Sequence, residues 1–174
     1  MKKVILFLML AVLLTGCKPP QVYETMDDSV QVQKPGEKME ILVSLPVDAS
    51  RQVMSSEENG EIYFCNDYIL TMQTVEAGDL QKTFLNATGF KPEQLSVVET
   101  QQGNAKRYSC VWTAVGETGD QVGRCAILDD GSYHYVLTAM ADASVAGELT
   151  EGAWQEIFSS FRLIAPEDVV DSGS

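Results

Sequence analysis

Two runs rich in β-branched and aromatic residues, Ala105 to Val115 and Gln121 to Leu128, are separated only by "GETG" and Asp120. They read as antiparallel strands of one hairpin. If Val115 faces Asp120, counting back sets Trp112 opposite Gly123 and Cys110 opposite Cys125. An indole covering an opposed glycine is a stabilising cross-strand pair. Directly opposed residues have Cα atoms about 4.5–5.5 Å apart, which is within disulfide range. Cys110 and Cys125 are therefore candidates for a bridge, the alternative being two buried thiols that pack as small apolar groups.

The rest of the chain from Met39 onward supplies partners for that hairpin. Met39 to Leu45 reads as a first strand stopped by Pro46. Glu61 to Cys65 and Tyr68 to Glu76 flank Asn66-Asp67, a two-residue turn. Asp79 is placed to cap a helix over Leu80 to Thr88 that stops at Gly89, with Phe90 folded back on Leu85. Leu95 to Thr100 reads as a strand leading through "QQGN" into the Ala105 strand, and "DDGS" turns the chain into a last strand, Tyr133 to Met140. A closing helix follows, with Thr150 as N-cap, Leu149 and Trp154 as a staple, and Trp154, Ile157, Phe158 and Phe161 along one face. The expected class is α+β, a mostly antiparallel β-sheet flanked by helices.

The order of elements, "TGF" at Thr88 to Phe90, the Trp112 hairpin, "DDGSYHYVL" and the closing "WQEIFSSF" resemble the PsbP-like fold. That group includes the photosystem accessory protein PsbP, a nuclear Ran-binding protein and many small bacterial lipoproteins. Over about Met39 to Leu163 the resemblance implies an α/β/α sandwich with an accessory or binding role. It carries no catalytic or ligand-binding residue onto this sequence.

The amino-terminal end has a different character. After Lys2 and Lys3, Val4 to Leu14 are uninterruptedly apolar, and Thr15 and Gly16 lead to Cys17. As a helix that run reaches about 16 Å, short of a bilayer core of ~30 Å, so it reads as a secretory signal rather than a permanent span. Leu14, Thr15, Gly16 and Cys17 resemble the bacterial lipobox. The resemblance implies diacylglycerol on the Cys17 thiol, cleavage before Cys17, and acyl chains such as palmitate holding the mature chain to the outer face of the bacterial cell membrane. A conventional signal that leaves Cys17 for a disulfide is the alternative. Each buried methylene contributes ~0.8 kcal/mol, so two or more chains anchor firmly. Residues 18–38, with three prolines and no sustained periodicity, read as a tether with a reach of about 25 Å. The expected organisation is a signal over 1–16, lipidated cysteine and tether over 17–38, one domain over 39–165 and an acidic tail over 166–174.

The net charge of −13 disfavours nucleic acid and anionic lipid surfaces as partners. A protein or small-ligand partner is expected instead, with no cofactor. His134 is the one histidine and no cysteines have CxxC spacing, so a zinc-ligand cluster is not expected. A thiol-dependent enzyme or redox protein using a cysteine with His134 is the competing reading, and a structural cell-envelope component a third. Asp129, Asp130 and Gly131 lack the spacing of a calcium loop and read as a turn. Asn86 to Thr88 fits a glycosylation sequon inside a helix, and Asp27 and Asp28 read as solvated charge. Strand parity puts Tyr108 and Trp112 on one face and Tyr133 and Tyr135 on one face, so these four are a candidate aromatic binding platform, or else core.

Overall fold

The hairpin at the centre of the sequence is the centre of the molecule. The computed structural model describes residues 36–53, 60–116 and 119–166. The signal, lipobox, Cys17, most of the tether, Asp27 and Asp28, and nearly all of the acidic tail lie outside the described residues. Strands β6 (Ala105–Val115) and β7 (Asp120–Asp129) pair antiparallel with Cys110 opposite Cys125, Trp112 opposite Gly123 and Val115 opposite Asp120, the register expected from the turn. β8 (Tyr133–Asp142) follows through the Asp130 turn and lies between β7 and β4 (Tyr68–Glu76). With β2 (Ser50–Val53), β3 (Gly60–Phe64) and β5 (Val98–Gln102) the sheet has seven strands in the order β2-β3-β4-β8-β7-β6-β5, every neighbour antiparallel.

Because the side-chain period of a strand is two, each face collects its own core. One face gathers Tyr68, Leu70, Met72, Ala126, Leu128, Tyr135, Leu137 and Ala139 beneath Trp154, Ile157, Phe158 and Phe161. The other gathers Cys110, Trp112, Cys125, Ile127 and Val136 beneath Phe84. Helix α1 (Leu80–Thr88) covers the second face. Asp79 caps it by accepting the Gln81 N–H at 3.0 Å, and Gly89, at φ 80°, ends it in the left-handed conformation that glycine adopts without strain. Helices lie on both faces, so the fold is the expected α+β sandwich. Among the described residues, no helix is long and apolar enough to cross a membrane.

Several local expectations are corrected. The closing helix is two helices, α2 (Ala143–Glu151) and α3 (Ala153–Ser160), broken at Gly152. Thr150 is not an N-cap. It lies in the last turn of α2, where its hydroxyl donates to the Ala146 carbonyl at 2.7 Å, satisfying locally the oxygen a cap would offer forward. Phe90 packs with the Phe84 cluster and not on Leu85, which points outward; Thr88 Oγ1 fixes the turn by accepting the Phe90 N–H at 3.1 Å. The first strand is only β1 (Glu40–Leu42), and it pairs outside the main sheet with β9 (Arg162–Ile164), a strand not anticipated. Its entry is held by the Met39 N–H donating to the Tyr135 hydroxyl at 2.8 Å. β5 begins at Val98 rather than Leu95 because a 3-10 turn over Pro92–Gln94 occupies the preceding residues.

The Trp112–Gly123 pair yields a direct test. A Cβ added at Gly123 would lie inside the six-membered ring of Trp112, which is itself buried. Gly123→Ala should therefore destabilise the fold by about 1–3 kcal/mol through overpacking, read as a lower urea midpoint. An unchanged midpoint would show that the ring is free to move away.

Candidate functional site

The residues singled out in the sequence fall on both sides of the sheet. Tyr108 and Trp112 belong to the α1 face. Tyr108 meets Phe84 edge-on with ring centroids 6.3 Å apart, and Trp112 covers Gly123. Tyr133 and Tyr135 belong to the opposite face, tilted against each other at 6.1 Å. Tyr135 is fully buried and its hydroxyl donates to Asp130 Oδ2 at 2.9 Å. Parity within each strand was read correctly. The four rings nevertheless make no common platform, because the β7–β8 register pairs Ile127 with Val136 and so sends Tyr135 to the face away from Tyr108.

The cysteines divide in the same way. Cys110 and Cys125 stand opposite one another beneath α1, both buried and both free. Their mutual hydrogen bond and burial hold the Cys125 thiol well above its ordinary range. Cys65 packs into the other face, and burial raises its thiol too. His134 is only 2% exposed, with Nδ1 2.8 Å from Thr83 Oγ1 on α1 and Nε2 3.9 Å from Asp129 Oδ1. Cys125 pairs with Thr138, four residues along β8 from His134, which is about 13 Å at the rise of a strand. The histidine is thus engaged by a threonine and a carboxylate, not by a sulfur.

The Asp129–Gly131 stretch is a hairpin turn closed by its own carboxylates. Asp129 Oδ1 accepts the Gly131 N–H at 2.8 Å, and Asp130 Oδ1 accepts those of Ser132 and Tyr133 at 2.8 and 2.7 Å. Among the described residues, no three His, Cys, Asp or Glu side chains are grouped so as to hold a metal ion.

What the sequence reading missed is the part of the α1 face that α1 does not cover. Phe64 on β3 is paired with Ile69 on β4, and Ile69 with Met140 on β8. These three neighbours form an open apolar row, 40%, 43% and 36% exposed, that leads to Gly123 and Trp112. The signal was present: in "YIL" at Tyr68 to Leu70 both phases of the strand are apolar, whereas a strand covered on one face alternates with polar residues.

No protein-family model and no curated protein matches this sequence. Solved structures match it in fold. The solution structure of cyanobacterial PsbP (CyanoP) from Synechocystis sp. PCC 6803 superposes with a TM-score of 0.52 at 10% identity, over 72% of this chain and 92% of that one. LpqN of Mycobacterium tuberculosis, involved in cell envelope biogenesis, gives 0.47 at 16% identity over 75% and 86% of the two chains. The Ran-binding protein Mog1p of Saccharomyces cerevisiae gives 0.47 at 13% identity over 75% and 97%. The chain spans about half the length, 46%, of a Bacteroides thetaiotaomicron structure that it also matches, at a TM-score of 0.49 and 9% identity. The fold is PsbP-like, as the sequence motifs implied.

The burial of the sulfurs sets an order of reactivity. Cys65 should react with maleimide first, and Cys110 and Cys125 at least about tenfold more slowly until denaturant is added. Mass spectrometry of the labelled full chain checks this. Rapid modification of Cys110 in the folded protein would mean that α1 opens readily.

Proposed function

We propose that this chain is a non-enzymatic accessory module of the bacterial cell envelope, lipidated at Cys17 and held on the outer face of the membrane. There its domain, residues 39–165, binds a protein partner. The observation that carries the reading is the open Phe64–Ile69–Met140 row. A contiguous apolar strip on an otherwise acidic exported domain is the kind of surface that takes a partner. The lipobox-like Leu14–Cys17 and the PsbP-like fold support it, since small bacterial lipoproteins and accessory proteins recur in that group. The mechanism is placement: a lipid anchor and a tether of about 25 Å confine the domain near the membrane and raise its effective concentration toward partners there.

Two experiments address the two parts. A clickable palmitate analogue should label the wild-type chain, and Cys17→Ser should abolish the label and release the protein from the membrane fraction. Retained label in the variant would remove the anchor from the proposal. A photo-crosslinking amino acid at Ile69 should trap a discrete species in intact cells, whereas one at exposed Gln101 on β5 should not. Equal trapping at both positions, or none at Ile69, would remove the apolar row as the binding face.

A further inference from the structure

The opposite face of the sheet carries an unusual pair of charges. Arg107 on β6 and Arg124 on β7 both point to the side covered by α3, and one residue links them. Phe158 accepts a hydrogen bond from Arg107 Nη2 on its carbonyl at 2.6 Å, and its ring lies 4.6 Å below the Arg124 guanidinium. Arg107 also donates to the Gln102 side-chain oxygen at 2.7 Å and to the Phe161 carbonyl at 3.3 Å. It therefore caps the carboxyl end of α3, which explains its position. No such account serves Arg124. Among the described residues its guanidinium has an aromatic ring beneath it and no hydrogen-bond acceptor or carboxylate beside it.

This arrangement is costly unless something completes it. Two guanidiniums are brought together and partly desolvated, and burial holds both below their ordinary pKa, with the Arg124 charge adding to the effect on Arg107. The chain has 25 acidic and 12 basic side chains, yet no acidic side chain among the described residues forms an ion pair with either arginine. Beside Arg107, Ser109 directs its hydroxyl to the same face, with Oγ 3.4 Å from Nε of Arg107. The surroundings are apolar and open. Val111, directly opposite Arg124, is 52% exposed, and Val98, opposite Ser109, is 60% exposed. There, too, the sheet edge is free: β5 stops pairing at Val98–Ser109, whereas β6 continues to Val115. A groove of about 420 Å³ runs along this free edge, lined by Phe90, Leu95, Val111 and Trp112 among others.

We propose that Arg124, with Arg107 and the Ser109 hydroxyl beside it, is the receptor for a carboxylate of an extended protein segment that adds to the free edge of β6. A strand laid along the 110–115 stretch gains main-chain hydrogen bonds and sets alternate side chains over the Arg124 face. A glutamate on that face meets a planar fork of donors, the geometry in which arginine exceeds lysine. Apolar residues flanking the glutamate meet Val98 and Val111. The inference is independent of the lipid anchor and of the Phe64 row, which lies on the other face.

The test uses the full ¹⁵N-labelled chain in detergent micelles and two synthetic hexapeptides, one alternating valine with glutamate and the other valine with glutamine. The glutamate peptide should shift the Arg124 Nε–Hε resonance and the Val111–Val115 amides saturably, and bind at least about tenfold more tightly than the glutamine peptide. Isovalerate should shift the arginine resonances alone, and more strongly than inorganic phosphate. Arg124→Gln should weaken the glutamate peptide to the level of the glutamine one with little change in urea midpoint, and Arg124→Lys should fall between. Equal binding of the two peptides by the wild-type chain would overturn the proposal whatever the variants do. So would an arginine response to phosphate exceeding that to isovalerate, or amide shifts confined to some other edge.

Discussion

The architecture is governed by a mismatch of widths. Seven strands at ~4.8 Å spacing give each sheet face about 30 Å of breadth, whereas one helix shields roughly 10 Å. Three short helices must serve both faces. Two of them, with the β1–β9 clasp, are committed to the side holding Trp154 and Phe158, so α1 alone serves the other. Burial follows where helices fall: Cys110, Cys125 and His134 are sealed beneath or beside α1, and Phe64 and Ile69 are not.

Electrostatics follow from the same shortage of cover. Where α3 ends, its terminal carbonyls would face a sheet with nothing to pair them, and Arg107 fills that role. The pair with Arg124 then concentrates positive charge at one place on a strongly acidic chain. Attraction of an anion to such a point is short-ranged at physiological salt, about 8 Å, so contact chemistry and not long-range steering selects what binds there.

Features set by local chemistry were legible in the sequence. The Asn66-Asp67 turn, the Asp79 and Gly89 ends of α1, and the register of β6 with β7 each depend on a few adjacent residues whose conformational needs are narrow. The break at Gly152 was hidden because the apolar spacing of Trp154, Ile157 and Phe158 holds whether the helix begins at Thr150 or two residues later. Short strands such as "SRQV" and "RLI" have too few residues to show an alternation and exist because a partner strand lies beside them. The open row and the arginine pair were illegible for a related reason: they are defined by what fails to cover them. That depends on helix placement across the sheet, not on the residues themselves. The aromatic platform failed at the last step of a sound argument, since parity within a strand says nothing of which face two strands share until their register is known.

The clasp of β1 with β9 bears on how the domain responds to being pulled. Glu40 pairs with Ile164 and Leu42 with Arg162, so the chain enters and leaves the domain at the same end of a two-stranded ladder. A load applied between the membrane-proximal segment and the carboxyl end opens that ladder one rung at a time, like a zip fastener, before it reaches the seven-stranded sheet. A load taken up through the sheet and the membrane side meets in addition the Met39–Tyr135 and Ser44–Ser160 hydrogen bonds. The clasp is therefore the domain's mechanically weakest seam, and it lies next to the chain that leads toward the membrane.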